Sequence, residues 1–104
     1  MLKSKLKYKR VLLKLSGEVL AGDKDAPYDS KVLEALAKDV KKLQKMGCQV
    51  GVVLGGGNIW RFRDFKDLNL GRVTSDTMGI MATVMNALAF ESALKKVNAK
   101  VRAM

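Results

Sequence analysis

Hydrophobic positions along the chain fall into runs of different period. In Arg10-Val11-Leu12-Leu13-Lys14-Leu15, apolar residues occupy both phases of a two-residue alternation except at Lys14. That pattern predicts a parallel strand covered on both faces. Val50-Gly51-Val52-Val53-Leu54 is a second short β-branched run, and it stops at Gly55-Gly56-Gly57 and Asn58. Such a run bounded by glycine reads as a buried strand. Between the two, Val32, Leu36, Val40 and Leu43 recur at spacings of four, four and three, with lysines opposite. This predicts an amphipathic helix over 31–46, capped by Asp29 or Ser30 and ended by Gly47 in a left-handed conformation. Strand, helix and strand form a parallel βαβ unit.

The later half predicts the longest helix over 77–97, with Thr74-Ser75-Asp76 as its start. Met78, Ile80, Met81, Val84, Met85, Leu88, Ala89 and Phe90 surround that helix on nearly every side. A helix apolar all round is expected to be buried all round, with the sheet on one face and a partner subunit on another. Its methionines read as packing. The stretch from Met78 to Phe90 is shorter than the roughly 20 residues of a membrane span. Residues 61–71 are expected to be a helix end and a loop, and 98–104 a third strand. Residues 1–9, dense in lysine, read as a solvated tail, with an arm for nucleic acid as the sharper alternative.

Candidate chemistry gathers at the strand ends. Glycines without Cβ atoms let backbone N–H groups approach a bulky anion and permit positive φ. A helix beginning at Asn58 would add its positive end to the same spot. A phosphate-bearing ligand fits there; the plainer reading is a tight turn with no ligand. Lys14 needs a counter-charge if buried, which a phosphate would supply, or else it snorkels outward at the strand end. Parallel strands place Lys14-Leu15-Ser16-Gly17 and Gly55-Gly56-Gly57-Asn58 on one edge of the sheet, where open α/β sheets bind ligands. Arg61, one turn beyond, is within reach of a phosphate. Asp76 is open to two readings, a helix-end charge held by the dipole or a ligand contact.

Composition narrows the classes. The 104 residues suffice for one small domain, and 48% apolar content is that of a globular chain. A net charge of +10 favours anionic partners. The absence of histidine removes His-based general bases, triads and His metal sites. The lone Cys48 excludes an internal disulfide and fits a reducing cytoplasm, its plain role being a small buried hydrophobe. Neither the Walker pattern nor GxGxxG is present, since Trp60 stands at the last glycine position. What remains is a glycine-triplet anion site, a strand-end lysine and an arginine, parts that suffice for phosphoryl transfer.

Tyr8 to Glu18, Gly51 to Arg61, Arg72, and Asp76-Thr77-Met78-Gly79 continuing to Ala89 together resemble the bacterial UMP kinase (uridylate kinase) family of the amino acid kinase superfamily. The resemblance implies an α/β fold, a three-layer αβα sandwich with a mainly parallel sheet. Residues 10–104 would be the N-terminal portion of that domain, binding nucleotide phosphate and UMP. It implies transfer of the ATP γ-phosphate to UMP with Mg²⁺, giving UDP for pyrimidine nucleotide synthesis. Lys14, Leu15, Ser16 and Gly17 would line the ATP phosphates, with Lys14 as the catalytic charge, and Gly57 and Arg61 would lie on the ATP side. Gly56 and Asp76 would contact UMP. Gly22-Asp23-Lys24-Asp25-Ala26-Pro27 matches a GTP-responsive loop, with UTP as a further effector. The family's assemblies are cytoplasmic homohexamers built from dimers, without membrane or nucleic-acid partners. Phe62 departs from the family, which has glycine there. The family chain is more than twice as long, so these 104 residues alone are expected to be inactive. The alternatives are an amino acid kinase with a carboxylate or carbamate acceptor, a nucleic-acid-binding module, and a non-catalytic assembly piece.

Overall fold

The computed structural model describes residues 8–22, 26–59 and 69–102. Strand β1, Arg10–Leu15, leads into a 3-10 helix, Gly17–Ala21, and then into helix α1, Ser30–Lys45. Strand β2, Gln49–Leu54, and helix α2, Arg72–Lys96, complete the described elements. The two strands pair in parallel, from Arg10 opposite Gln49 to Leu15 opposite Leu54. The expected βαβ unit is therefore present.

Local chemistry sets the helix ends. Asp29 caps α1, its Oδ1 accepting from the Lys31 N–H at 2.9 Å. At the other end Gly47 takes φ 92°. The Gly47 N–H donates to Gln44 O and the Cys48 N–H to Leu43 O, the paired bonds of a Schellman ending. Asn98, at φ 61°, repeats that ending on α2, with Asn98 N–H donating to Lys95 O and Ala99 N–H to Leu94 O. Cys48 is buried, as its plain reading requires.

The core lies between one face of the sheet and the two helices. Ala37, Val40, Phe90, Leu94 and Ala99 are buried there, with Leu13, Val50, Val52 and Leu54 packed against them. Burying each large apolar side chain is worth about 1.5–3 kcal/mol. On the other face of the sheet Leu12 is 70% exposed and Val53 48%. The described residues thus supply a helical layer on one side only, and β1 is not covered on both faces as its sequence suggests.

Helix α2 departs from expectation three times. It starts at Arg72, capped by Gly71, so Thr74-Ser75-Asp76 lie inside its first two turns. No side chain caps it, and no proline or glycine between Arg72 and Thr77 breaks the helix. It is buried along one stripe only, Ala82, Asn86, Phe90 and Leu94, while Val73, Ile80 and Leu88 are 81%, 62% and 55% exposed. The helix has more apolar surface than the described residues cover. Its 25 residues are also long and apolar enough to cross a membrane, so the shortness of the Met78–Phe90 stretch decides nothing. The stripe instead docks on the chain's own core.

No third strand forms among the described residues. Asn98 and Ala99 are used in ending α2, and the Lys100 carbonyl accepts from Gln44 Nε2 at 2.8 Å, not from β2. Residues 1–7, 23–25, 60–68 and 103–104 lie outside the described residues. With them lie Asp23, Lys24 and Asp25 of the expected effector loop, Arg61, Phe62, and most of the 1–9 tail.

Candidate phosphate-binding site

Because β1 and β2 end in register, the segments after them leave the sheet side by side. The Gly55 N–H donates to Leu15 O at 2.9 Å, extending the pairing by one residue. Gly17 is buried against the opposite loop. A Cβ on Gly17 would lie 2.6 Å from Asn58 Oδ1, 2.6 Å from Gly55 O and 2.7 Å from Gly57 N. The Ser16-Gly17 and Gly55–Asn58 segments are thus in direct contact. Gly56 turns to α2, where its Cβ would meet Ala82 Cβ at 2.8 Å and Gly79 O at 3.2 Å.

Gly17 and Gly56 are needed for space, whereas a Cβ on Gly55 or Gly57 would meet nothing nearer than 3.3 Å. The described glycines with positive φ are Gly22 and Gly47, and the triplet is not among them. The left-handed backbone expected of Gly55–Gly57 is therefore absent; within the triplet it is Gly56 whose missing Cβ makes room, at the contact with α2. Gly57–Ile59 form a turn, closed by the Ile59 N–H donating to Gly56 O at 3.0 Å. This is a turn where a helix was expected to begin at Asn58, and residues 60–68 beyond it are among those not described.

The remaining site residues occupy distinct places around this contact. Lys14 lies on the exposed face of β1, between Leu13 and Leu15, which face the core. A lysine on that face needs no buried counter-charge. Leu15 is half-buried at the strand end, and Ser16 is exposed, starting the 3-10 helix. Asp76 is exposed in the second turn of α2 and pairs with Arg72 at 3.9 Å. An exposed pair at that distance is worth at most a few tenths of a kcal/mol. Asp76 lies one turn before Gly79, so the carboxylate is on the part of α2 that Gly56 abuts. Gly22, at φ 58°, packs beside Val32 and Asp29. Ala26 and Pro27 are exposed, and the Pro27 carbonyl accepts from Asn58 Nδ2 at 2.8 Å.

Two participants were not singled out from the sequence. Glu18, in the first turn of the 3-10 helix, brings Oε1 to 3.3 Å from the Cβ position of Gly57. A carboxylate there opposes an anion unless a cation intervenes. The second is Asn86, fully buried in the stripe of α2. Its Nδ2 donates to Gly55 O and to Asn58 Oδ1, both at 2.7 Å. Its Oδ1 accepts from the Tyr28 hydroxyl at 2.7 Å and from Asn58 Nδ2 at 3.2 Å. Burial raises the Tyr28 hydroxyl above its ordinary pKa, keeping it a donor at neutral pH. The available signal was an asparagine four residues from Ala82 and four from Phe90, a polar group on a buried face.

A parallel pair whose strand-end loops meet at one edge, with a helix behind them, belongs to the class of open α/β folds that take ligands at that edge. The amino acid kinase family model matches residues 9–104, and the chain belongs to the amino acid kinase family. Within it the chain is similar to uridylate kinases. It is 51% identical over 100 residues to the Legionella pneumophila (strain Corby) uridylate kinase, spanning 96% of this chain and 41% of that one. It is 52% identical over 101 residues to the Xanthomonas axonopodis pv. citri uridylate kinase, spanning 97% and 42%. The UMP kinase structure from Ureaplasma parvum superimposes with a TM-score of 0.80 at 39% identity, covering 89% of this chain and 39% of that chain. The Bacillus anthracis UMP kinase does so with 0.79 at 37%, covering 86% and 36%. The chain therefore spans about two fifths of the length of the curated relatives it matches.

Proposed function

We propose that residues 10–104, after a basic tail at 1–9, are the phosphate-binding portion of a kinase that transfers the ATP γ-phosphate to UMP, giving UDP. The observation that carries this reading is the contact of Gly17 with the Gly55–Asn58 loop at the end of two parallel strands. In it Leu15, Ser16, Gly17 and Gly57 present backbone to the ATP phosphates, and Lys14, with Arg61, neutralises charge on the transferring group. Gly56 and Asp76, adjoining through Gly79, hold UMP, the carboxylate accepting from ribose hydroxyls. Mg²⁺ would arrive with ATP. The described residues hold no cluster of three ligating side chains, and Glu18 is the carboxylate beside the loop that would face the ion. The ion would supply charge neutralisation at the phosphates.

The reading includes regulation by GTP or UTP at the 22–27 loop, a cytoplasmic setting, and assembly through the exposed apolar face of α2. Val73, Ile80, Met81 and Leu88 on that face would meet a second copy in a homo-oligomer, a homohexamer built from dimers, and not a membrane or a nucleic acid.

The test is fragment assay and complementation. Incubated with ATP, UMP and Mg²⁺, the 104-residue chain is expected to form no UDP. Co-expressed with the remaining three fifths of the Legionella uridylate kinase, it is expected to recover UMP-dependent ADP release. Lys14→Ala in that pair should lower turnover at least tenfold more than it weakens UMP binding. UDP from the chain alone would remove the assignment to a partial site.

A further inference from the structure

We propose that Asn86 is a positioning residue that locks the Tyr28 segment to the Gly55–Asn58 loop, so that a shift at one end is transmitted to the other. Such coupling goes beyond the phosphoryl-transfer reading and concerns how its two loops communicate.

Three segments distant in sequence meet at one buried amide. Asn86 uses both donor positions, to Gly55 O and Asn58 Oδ1, and both acceptor positions, from the Tyr28 O–H and Asn58 Nδ2. That is its full hydrogen-bonding capacity. Asn58 pairs with it amide to amide and also donates to the Pro27 carbonyl at 2.8 Å. Pro27 and Tyr28 are thereby tied to the glycine loop twice, through the Tyr28 hydroxyl and through Asn58. No buried side-chain nitrogen or oxygen among the described residues lacks a partner. A satisfied network in a low-dielectric interior is rigid, because any rotation leaves a buried group unpaired.

Rigidity alone would make Asn86 a support for α2. Its partners argue for coupling. None lies on α1, and apart from Asn86 itself every group belongs to 27–28 or 55–58, Gly55 being also the residue whose N–H extends the strand pairing to Leu15 O. The 27–28 segment continues the chain that leaves the Gly17–Ala21 helix, where the Asp29 N–H donates to Leu20 O at 2.7 Å. A ligand that displaced this segment would pull the Tyr28 hydroxyl from Asn86 Oδ1 and free the amide that sets the Gly55 carbonyl.

The test uses backbone amide NMR of the 104-residue chain. Asn86→Asp keeps the shape and makes the node titratable. Burial and two facing oxygens, Gly55 O and Asn58 Oδ1, raise that carboxyl's pKa. Tyr28 and Asn58 face it with donors, and no charged group is among its partners. Protonated, it donates once and accepts twice; ionised, it repels both oxygens. Amide shifts of Tyr28 and of Gly55–Asn58 are expected to move together, with one midpoint above the ordinary carboxylate range. The wild-type chain should show no such transition. Tyr28→Phe, which removes one hydroxyl, decides the matter if Asn86→Asp does not fold. It is expected to speed hydrogen exchange at Gly55–Asn58 about tenfold while α1 amides stay unchanged. Separate midpoints for the two segments, or a Tyr28→Phe effect confined to residues 27–29, would overturn the proposal. Neither readout involves a nucleotide, so failure here and failure of the kinase reading are distinguishable.

Discussion

Gly17→Ala is expected to lower the stability of the chain by about 2 kcal/mol and to abolish nucleotide binding at the loop. The new methyl carbon would lie 2.6–2.7 Å from three atoms, two of them backbone. Backbone cannot give way cheaply here, because Gly55 N–H is bonded to Leu15 O and Ile59 N–H to Gly56 O, fixing the loop on both sides of the clash. The two segments must separate, at the cost of ladder bonds or loop contacts. Gly57→Ala is the internal control. Its Cβ would meet only the Glu18 side chain, at 3.3 Å or more, and a flexible side chain can move aside. Its cost should stay under about 1 kcal/mol. Urea unfolding of the two variants measures the difference, and equal midpoints would contradict the packing described.

Asn86→Leu is expected to cost more, about 3–4 kcal/mol. The substitution keeps the branched shape and adds bulk, so no cavity forms. The loss comes from the partners left behind: the Gly55 carbonyl, Asn58 Oδ1 and the Tyr28 hydroxyl, while Asn58 Nδ2 keeps the Pro27 carbonyl. Each buried group without a partner costs about 1–3 kcal/mol, and water reaching the partly buried Asn58 and Tyr28 recovers some of it. Leu substitution at the exposed Thr77, one face away, should change stability by less than about 0.5 kcal/mol. A cost below about 1 kcal/mol for Asn86→Leu, read from the same unfolding curves, would mean that the amide network does not hold in solution.

The parts of the fold legible in the sequence were those governed by local period and local caps. Arg10–Leu15, the stripe of α1, the Asp29 cap and the Gly47 ending each stem from a few neighbouring residues. The parallel pairing came with them, since a strand–helix–strand unit has few ways to close. Less legible was whatever depended on how much surface the rest of the chain covers. The apolar girdle of α2 predicted burial all round, yet burial requires a neighbour, and the described residues supply one for a single stripe. The 98–102 segment has strand composition, but its first residues are spent on ending the helix and Lys100 on Gln44.

At the site, the meeting of Ser16-Gly17 with Gly55–Asn58 was readable, because both lie just past strand ends. The conformational role given to the triplet was not correct, since none of its glycines has positive φ and only Gly56 is required by crowding. Asn86 escaped notice because periodicity registers hydrophobic positions, and a polar residue in a buried stripe looks like a gap in the pattern. Its significance depends on Tyr28 and Asn58, which are 58 and 28 residues away in sequence. Long-range hydrogen bonding of that kind leaves no local trace.

The central claim is that two loops, brought together at one edge of a parallel pair, grip the phosphates of a nucleotide. Titrating the isotopically labelled chain with Mg²⁺-ATP while tracking backbone amide shifts tests it most directly. The largest changes should appear at Ser16, Gly17 and Gly55–Asn58, saturate with one apparent affinity, and disappear in Gly17→Ala. Shifts confined to the lysine-bearing face of α1 around Lys38, Lys42 and Lys45, with both loops unmoved, would mean that the charge of the chain binds the anion and the glycine loops do not.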